Sequence, residues 1–170
     1  TELKETYSSW EEVRDADPQE LQEVIRIAGL AAQKGPNIQS ALQAISEQRG
    51  EISLDWLREK SVDEARDWLV SLKGVGPKTA AIVLVFALDM PAFPVDTHIY
   101  RVSGRIGLRP PKLDVEKTHQ YFEMIGEPTT FKDLHLNIIS LGRSYCQARK
   151  PKCQHCPVLE LCDFTEKVLE

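Results

Sequence analysis

Apolar side chains recur every third or fourth position along most of this chain, the spacing of one face of an α-helix. Leu21, Val24, Ile25 and Ala28 share such a face. The segment before them, Asp17-Pro18-Gln19-Glu20, is a helix start: an N-cap, a proline at the first position and a glutamate placed to close a capping box. Gly29 follows as a stop. Ile38, Leu42 and Ile45 repeat the pattern ahead of Gly50. Ser61 and Glu64 form a second capping box that opens on Ala65, Leu69 and Leu72, and Phe131, Leu134, Ile138 and Leu141 make a later stripe. No convincing β-alternation, low-complexity tract or clear repeat breaks the pattern. The expected fold is all-α, and the stripes are read as core-packing faces. Pro91 and Pro94 mark a lobe boundary, and Pro110-Pro111 marks a loop within the second lobe.

One segment departs from this amphipathic pattern. Pro77 to about Leu88 reads as a helix that is almost wholly apolar, and Lys78, in its first turn, is the one charged side chain in its body. The longest apolar run, Ala80 to Leu88, is too short to span a bilayer. The turn before it reads Leu72-Lys73-Gly74-Val75-Gly76-Pro77-Lys78. Its two glycines permit positive φ and close approach of another backbone. Val75 can turn inward to anchor the turn, so that successive N–H groups point outward at a helix N-terminus and make an anion site. With the capped helix before it, the unit is helix, hairpin, helix, and the hairpin is expected to clamp a phosphate. A lysine nucleophile must lose its proton, and both the positive end of a helix and apolar surroundings disfavour the ammonium of Lys78. Asp96 follows Pro94 and opens a further helical pattern, Thr97 to Ile106. A carboxylate there can cap that helix and can also take a proton from the amine or stabilise a developing cation.

Composition narrows the class. With 170 residues, 42% apolar and 28% charged, the chain can bury a core as one domain or two small lobes. No signal peptide opens it, and it begins on Thr rather than Met, so its natural N-terminus is expected to be missing. The formal net charge of −5 argues weakly against nucleic acid. Distribution matters more than the sum: acidic residues crowd residues 1–67, while basic ones gather at Arg101, Arg105 and Arg109, and again at Arg143, Arg149, Lys150 and Lys152.

All four cysteines fall in one short stretch, Cys146, Cys153, Cys156 and Cys162, spaced C-x6-C-x2-C-x5-C. Four thiolates this close can wrap a cubane iron–sulfur cluster. Zinc is the main rival, although its four-cysteine sites more often use two C-x2-C pairs and only one is present here. Disulfides do not fit, because nothing points to secretion. The cluster reads as structural, with no fifth ligand or redox partner evident. The loop from Gln147 to Lys152 carries three positive charges, Arg149, Lys150 and Lys152, and held rigid by metal it suits phosphate contact.

Together these elements resemble the helix-hairpin-helix DNA glycosylase superfamily, and closely the endonuclease III family. The stretch LKGVGPKTA resembles its hairpin, VDTHIYRV its aspartate segment, and GRSYCQARKPKCQHC followed by LC its iron–sulfur loop, over roughly residues 5–165. The resemblance implies two helical lobes with a DNA groove between them: a helical barrel near residues 1–90, containing the helix-hairpin-helix at about 62–88, and a cluster lobe near 91–170. It implies that Lys78 is a Schiff-base lysine and Asp96 the catalytic aspartate. It implies that Lys73, Gly74, Val75, Gly76, Arg149, Lys150 and Lys152 bind DNA, and that Cys146, Cys153, Cys156 and Cys162 hold a structural [4Fe-4S] cluster. Relatives with serine at position 78 are adenine glycosylases and those with tyrosine are thymine-mismatch enzymes, whereas lysine implies a bifunctional glycosylase and abasic-site lyase. The 8-oxoguanine glycosylases share the lysine but generally lack the four cysteines. The implied substrate is double-stranded DNA with a damaged base, an oxidised pyrimidine, or an abasic site, bound by a monomer inside the cell at the nucleoid. Two rivals stand beside this reading. Lys78 argues against a mismatch or uracil glycosylase without lyase activity, and the Lys78–Asp96 pair argues against a non-catalytic DNA-binding module. The family's two upstream helices, with a glutamine-bearing turn, find no match, so the chain is expected to be N-terminally incomplete.

Overall fold

The structure, a computed structural model, describes residues 2–169. Every regular element among them is helical, in agreement with the all-α expectation. The chain forms two compact units, Thr1–Gly76 and Pro77–Glu170.

The first unit is built on one long helix. Helices α1 (Glu2–Thr6), α2 (Trp10–Asp15) and α3 (Pro18–Val24) precede it, and α2 and α3 pack against α4 (Ala31–Arg49). Ser9 caps α2 by accepting from the Glu12 N–H, and Asp17 caps α3 by accepting from Gln19 and Glu20 at 2.8 and 3.1 Å. Helix α3 stops at Val24, earlier than the Gly29 expected, and a 3₁₀ turn over Arg26–Ala28 covers the rest. Val13, Leu21 and Ile25 form the buried centre, with Ile38 and Leu42 of α4 packed on it. Ile45, also on the apolar face of α4, is buried as expected. Gly50 closes α4 at φ 75, donating its N–H to Ser46 at 2.8 Å. Helix α5 (Val62–Ser71) opens on a completed capping box, in which Ser61 accepts from the Glu64 N–H and Glu64 accepts from the Ser61 N–H at 2.9 Å.

The second unit begins one residue past the hairpin glycines. Helix α6 (Pro77–Ile82) continues into a π-helical turn, Val83–Ala87, where the expected plain helix to Leu88 widens and the Leu88 N–H reaches Val83. Helices α7 (Thr97–Arg105), α8 (Val115–Ile125) and α9 (Phe131–Ser144) complete the unit. Its core joins Val85, Phe93, Val95, Ile99, Val102, Phe122, Phe131 and Ile138. Here the boundary drawn at Pro91 needs correction. Val85 of the π turn packs into the same core as Phe93 and Val95, so the apolar helix belongs with the residues after it, and the division falls at Gly76/Pro77. Helices α7 and α9 lie in close contact because Gly142 has no side chain: a Cβ there would stand 3.1 Å from His98 and from Val102.

Candidate active site

Helix α6 carries Lys78 as its second residue, and the loop after the π turn delivers Asp96. Within the second unit the two side chains meet. Lys78 Nζ lies 3.9 Å from Asp96 Oδ2, the separation of an ion pair rather than of a direct hydrogen bond. The other carboxylate oxygen, Oδ1, accepts from the Ile99 N–H at 2.8 Å and so caps α7. Capping and ion pairing therefore use different oxygens of one side chain. The Asp96 side chain is 10% exposed and that of Lys78 is 54% exposed. The apolar surroundings expected around the amine are thus only partial: helix α6 buries Ala80 and Ala81 but leaves the lysine half open.

The loop that delivers Asp96 is held on three sides. The Phe93 N–H donates to Glu123 Oε1 at 2.8 Å, His119 Nδ1 lies 2.9 Å from the Phe93 carbonyl oxygen, and His135 Nδ1 lies 3.0 Å from the Pro94 carbonyl oxygen. A carbonyl only accepts, so both imidazoles place their proton on Nδ1. Burial pushes the His135 imidazole below its ordinary range; the Pro94 carbonyl and Asp96 pull it up, and Lys78 adds to the lowering. Sequence reasoning missed all three of these side chains. The available signal was weak: His119 and His135 stand among the apolar positions of α8 and α9, where a buried histidine needs a partner.

In the hairpin, the Val75 N–H turns back to Leu72 at 3.0 Å, and Val75 is partly buried. Gly74 sits at φ 82, and a Cβ on it would come within 2.5 Å of the Asn37 side chain, so both positive φ and close approach require glycine there. Lys73 is exposed, as are Arg149, Lys150 and Lys152. Lys150 adopts φ 49, and the Lys152 N–H closes the loop onto the Tyr145 carbonyl at 2.9 Å.

Cys146, Cys153, Cys156 and Cys162 line a single small pocket together with Ile106, Tyr145, Leu159, Phe164 and Lys167. Among the described residues no three Cys, His, Asp or Glu side chains converge on a point that one ion could occupy. Four thiols around one pocket make the sulfur-rich donor set that an iron–sulfur cluster takes. Arg105 braces this pocket: its Nη1 stands 3.6 Å from Cys146 Sγ and donates to the Gln147 carbonyl at 2.7 Å, while Nη2 donates to Ala148 at 3.1 Å. Arg101 donates to the Cys146 and Gly142 carbonyls, and Arg109 lies over the Tyr100 ring, 3.8 Å from its centroid, and donates to the Tyr100 carbonyl. Much of the first basic group read from the sequence is therefore used inside the fold.

Residues 1–128 match the HhH-GPD superfamily of base excision DNA repair proteins, and the chain belongs to that family. Residues 146–162 match the iron–sulfur binding domain of endonuclease III, the motif of a [4Fe-4S] cluster, and the match spans all four cysteines. Among curated proteins the chain is 34% identical to a putative DNA glycosylase, At3g47830, of Arabidopsis thaliana, over 95% of this chain and 58% of that one. It is 38% identical to endonuclease III of Bacillus subtilis (strain 168), over 88% of this chain and 64% of that one. Among solved structures it resembles a trapped covalent endonuclease III–DNA intermediate, with a TM-score of 0.75 and 34% identity, covering 94% of this chain and 71% of that one. The chain thus spans about three fifths of the length of these two curated relatives.

Proposed function

We propose that this chain is a DNA glycosylase with abasic-site lyase activity that uses Lys78 as its nucleophile on duplex DNA. The observation that carries the reading is the Lys78–Asp96 pair, an amine and a nearly buried carboxylate 3.9 Å apart at a helix start. A damaged base inside a duplex is out of reach, so the nucleotide is first flipped out. The unprotonated Lys78 amine attacks the sugar C1′ while the C1′–N bond to the base breaks, and the base leaves with the electron pair of that bond. Asp96 Oδ2 stabilises the positive charge growing at C1′ and receives a proton from the attacking nitrogen. The Nζ lone pair then forms the C1′=N bond as the C1′–O4′ bond breaks and O4′ takes up a proton, which opens the ring to a protonated imine. Loss of a proton from C2′ sends its electrons toward the imine and expels the 3′ phosphate, which breaks the strand. The substrate class we assign is oxidised pyrimidine, as the resemblance of the sequence to the endonuclease III family implies.

In the hairpin, Gly74 and Gly76 supply backbone N–H groups and Lys73 a cation for a strand phosphate, while Val75, its own N–H donated to Leu72, anchors the turn, and the exposed Arg149, Lys150 and Lys152 supply further cations. Cys146, Cys153, Cys156 and Cys162 would hold the cluster, which would supply rigidity to the 147–152 loop.

Borohydride trapping on an abasic duplex tests the nucleophile. Reduction of the imine should leave the protein covalently joined to DNA, and Lys78→Gln, which keeps most of the size but removes the amine, should abolish both the adduct and strand nicking while retaining DNA binding. An adduct formed by Lys78→Gln would place the nucleophile elsewhere. Nicking of abasic and thymine-glycol duplexes separates a bifunctional enzyme from one that only releases bases and from a module that only binds.

A further inference from the structure

We propose that His135 is a positioning residue that fixes the distance between Lys78 and Asp96, by tying the helix that carries the lysine to the loop that carries the aspartate. The inference rests on the roles proposed above for those two side chains. Their separation of 3.9 Å is too long for a hydrogen bond to set, and Lys78 is half exposed. Something else must hold the two backbones in register. His135, on α9 and 3% exposed, has a partner on each. Toward the aspartate, its Nδ1–H donates to the Pro94 carbonyl at 3.0 Å, two residues before Asp96. Toward the lysine, its ring meets the Phe86 ring edge-on, centroids 5.5 Å apart and planes at 65°. Phe86 lies in the π turn that continues α6 directly from Lys78. The extra backbone residue of a π turn shifts the side chains that follow it around the helix axis. Here the side chain in that turn is the one that meets the imidazole.

The chemistry of the imidazole suits this task. A buried carbonyl left without a donor is costly, so Pro94 is held to a geometry that satisfies it. His135 is also electrostatically coupled to both Asp96 and Lys78, and burial favours its neutral form. A neutral ring can brace the pair without competing for the carboxylate. Phe93 adds a third contact, its ring 6.3 Å from that of His135 and itself pinned by Glu123 and His119. A shift of about 1 Å at a reacting centre can cost on the order of 10²-fold in rate, so a brace of this kind matters for chemistry.

The test is single-turnover imine trapping on an abasic duplex at saturating DNA, with unfolding midpoints and DNA affinity measured on the same proteins. His135→Leu fills the space but cannot donate. It should slow trapping by about tenfold or more with DNA affinity unchanged. His135→Asn can place an N–H near the position of Nδ1 and should restore most of the rate. In an Asp96→Asn background, His135→Leu should cost little further, because its effect runs through Asp96. A His135→Leu protein that is less stable but traps at the wild-type rate, or penalties that add in full, would overturn the proposal. If His135→Leu does not fold, Phe86→Ala carries the test from the other side: slowed trapping supports the brace, and a wild-type rate overturns it. Lys78→Gln in the same assay keeps the two claims apart. An adduct without Lys78 refutes the nucleophile, whereas a Lys78-dependent adduct that ignores His135 and Phe86 refutes only the brace.

Discussion

At the residue scale, Asp96 performs two tasks with two oxygens, and they can be separated. Oδ1 caps α7 through the Ile99 N–H, and Oδ2 faces Lys78. Asn can still accept at the cap but carries no charge, whereas Ala does neither. Asp96→Asn should therefore slow base release by roughly 10²-fold or more, with little change in unfolding free energy. Asp96→Ala should lose the same activity and also about 1 kcal/mol of stability in a denaturant titration. Equal stability of the two variants would mean that the cap contributes nothing. This pair was legible in the sequence for a physical reason: a lone lysine in an apolar helix and an aspartate at a helix start stand out against their neighbours. His119 and His135 were not, because their partners are backbone carbonyls 26 and 41 residues away. No local pattern encodes a bond to a carbonyl that distant.

At the element scale, helix starts followed side-chain chemistry that can be read directly, as at Ser61 and Asp17. Helix ends and interiors did not. The π turn at Val83–Ala87 has the composition of an ordinary buried helix, and only packing against the second core distinguishes it. The same packing moved the unit boundary ahead of Pro91. Helix α9 carries a consequence for acid stability. Its His135 has a folded pKa below the unfolded value of about 6.5. Between those two values the unfolded chain binds more protons than the folded one, so stability rises with pH through that window. The contribution is intact above about pH 6.5 and is lost as the pH falls below it. His135→Asn does not titrate, so its unfolding midpoint should fall less steeply just below pH 6.5. Parallel pH profiles for the two proteins would show that His135 does not report burial in this way.

At the scale of the whole molecule, the placement of each cation separates two kinds that net charge merges. Arg101, Arg105 and Arg109 read from the sequence as a basic patch, yet each donates to backbone carbonyls inside the second unit. Lys150 and Lys152 remain exposed on a loop closed at Tyr145 and flanked by Cys146 and Cys153. Cations of the first kind hold the fold, and cations of the second kind are available to phosphate. Their substitutions should fail differently. Arg105→Leu removes the donor to the Gln147 and Ala148 carbonyls and the cation beside Cys146, so it should loosen the loop and lower the iron content of the purified protein. Replacing Lys150 and Lys152 together with Ala should leave iron content unchanged and weaken binding to all duplex sequences about equally, because phosphate contacts carry no sequence information. Each lost contact should also flatten the dependence of log affinity on log salt by about 0.9, or roughly 1.8 for the pair. A binding titration from low to moderate salt measures that slope directly. An unchanged slope with iron content intact would mean that these two lysines do not touch the DNA backbone.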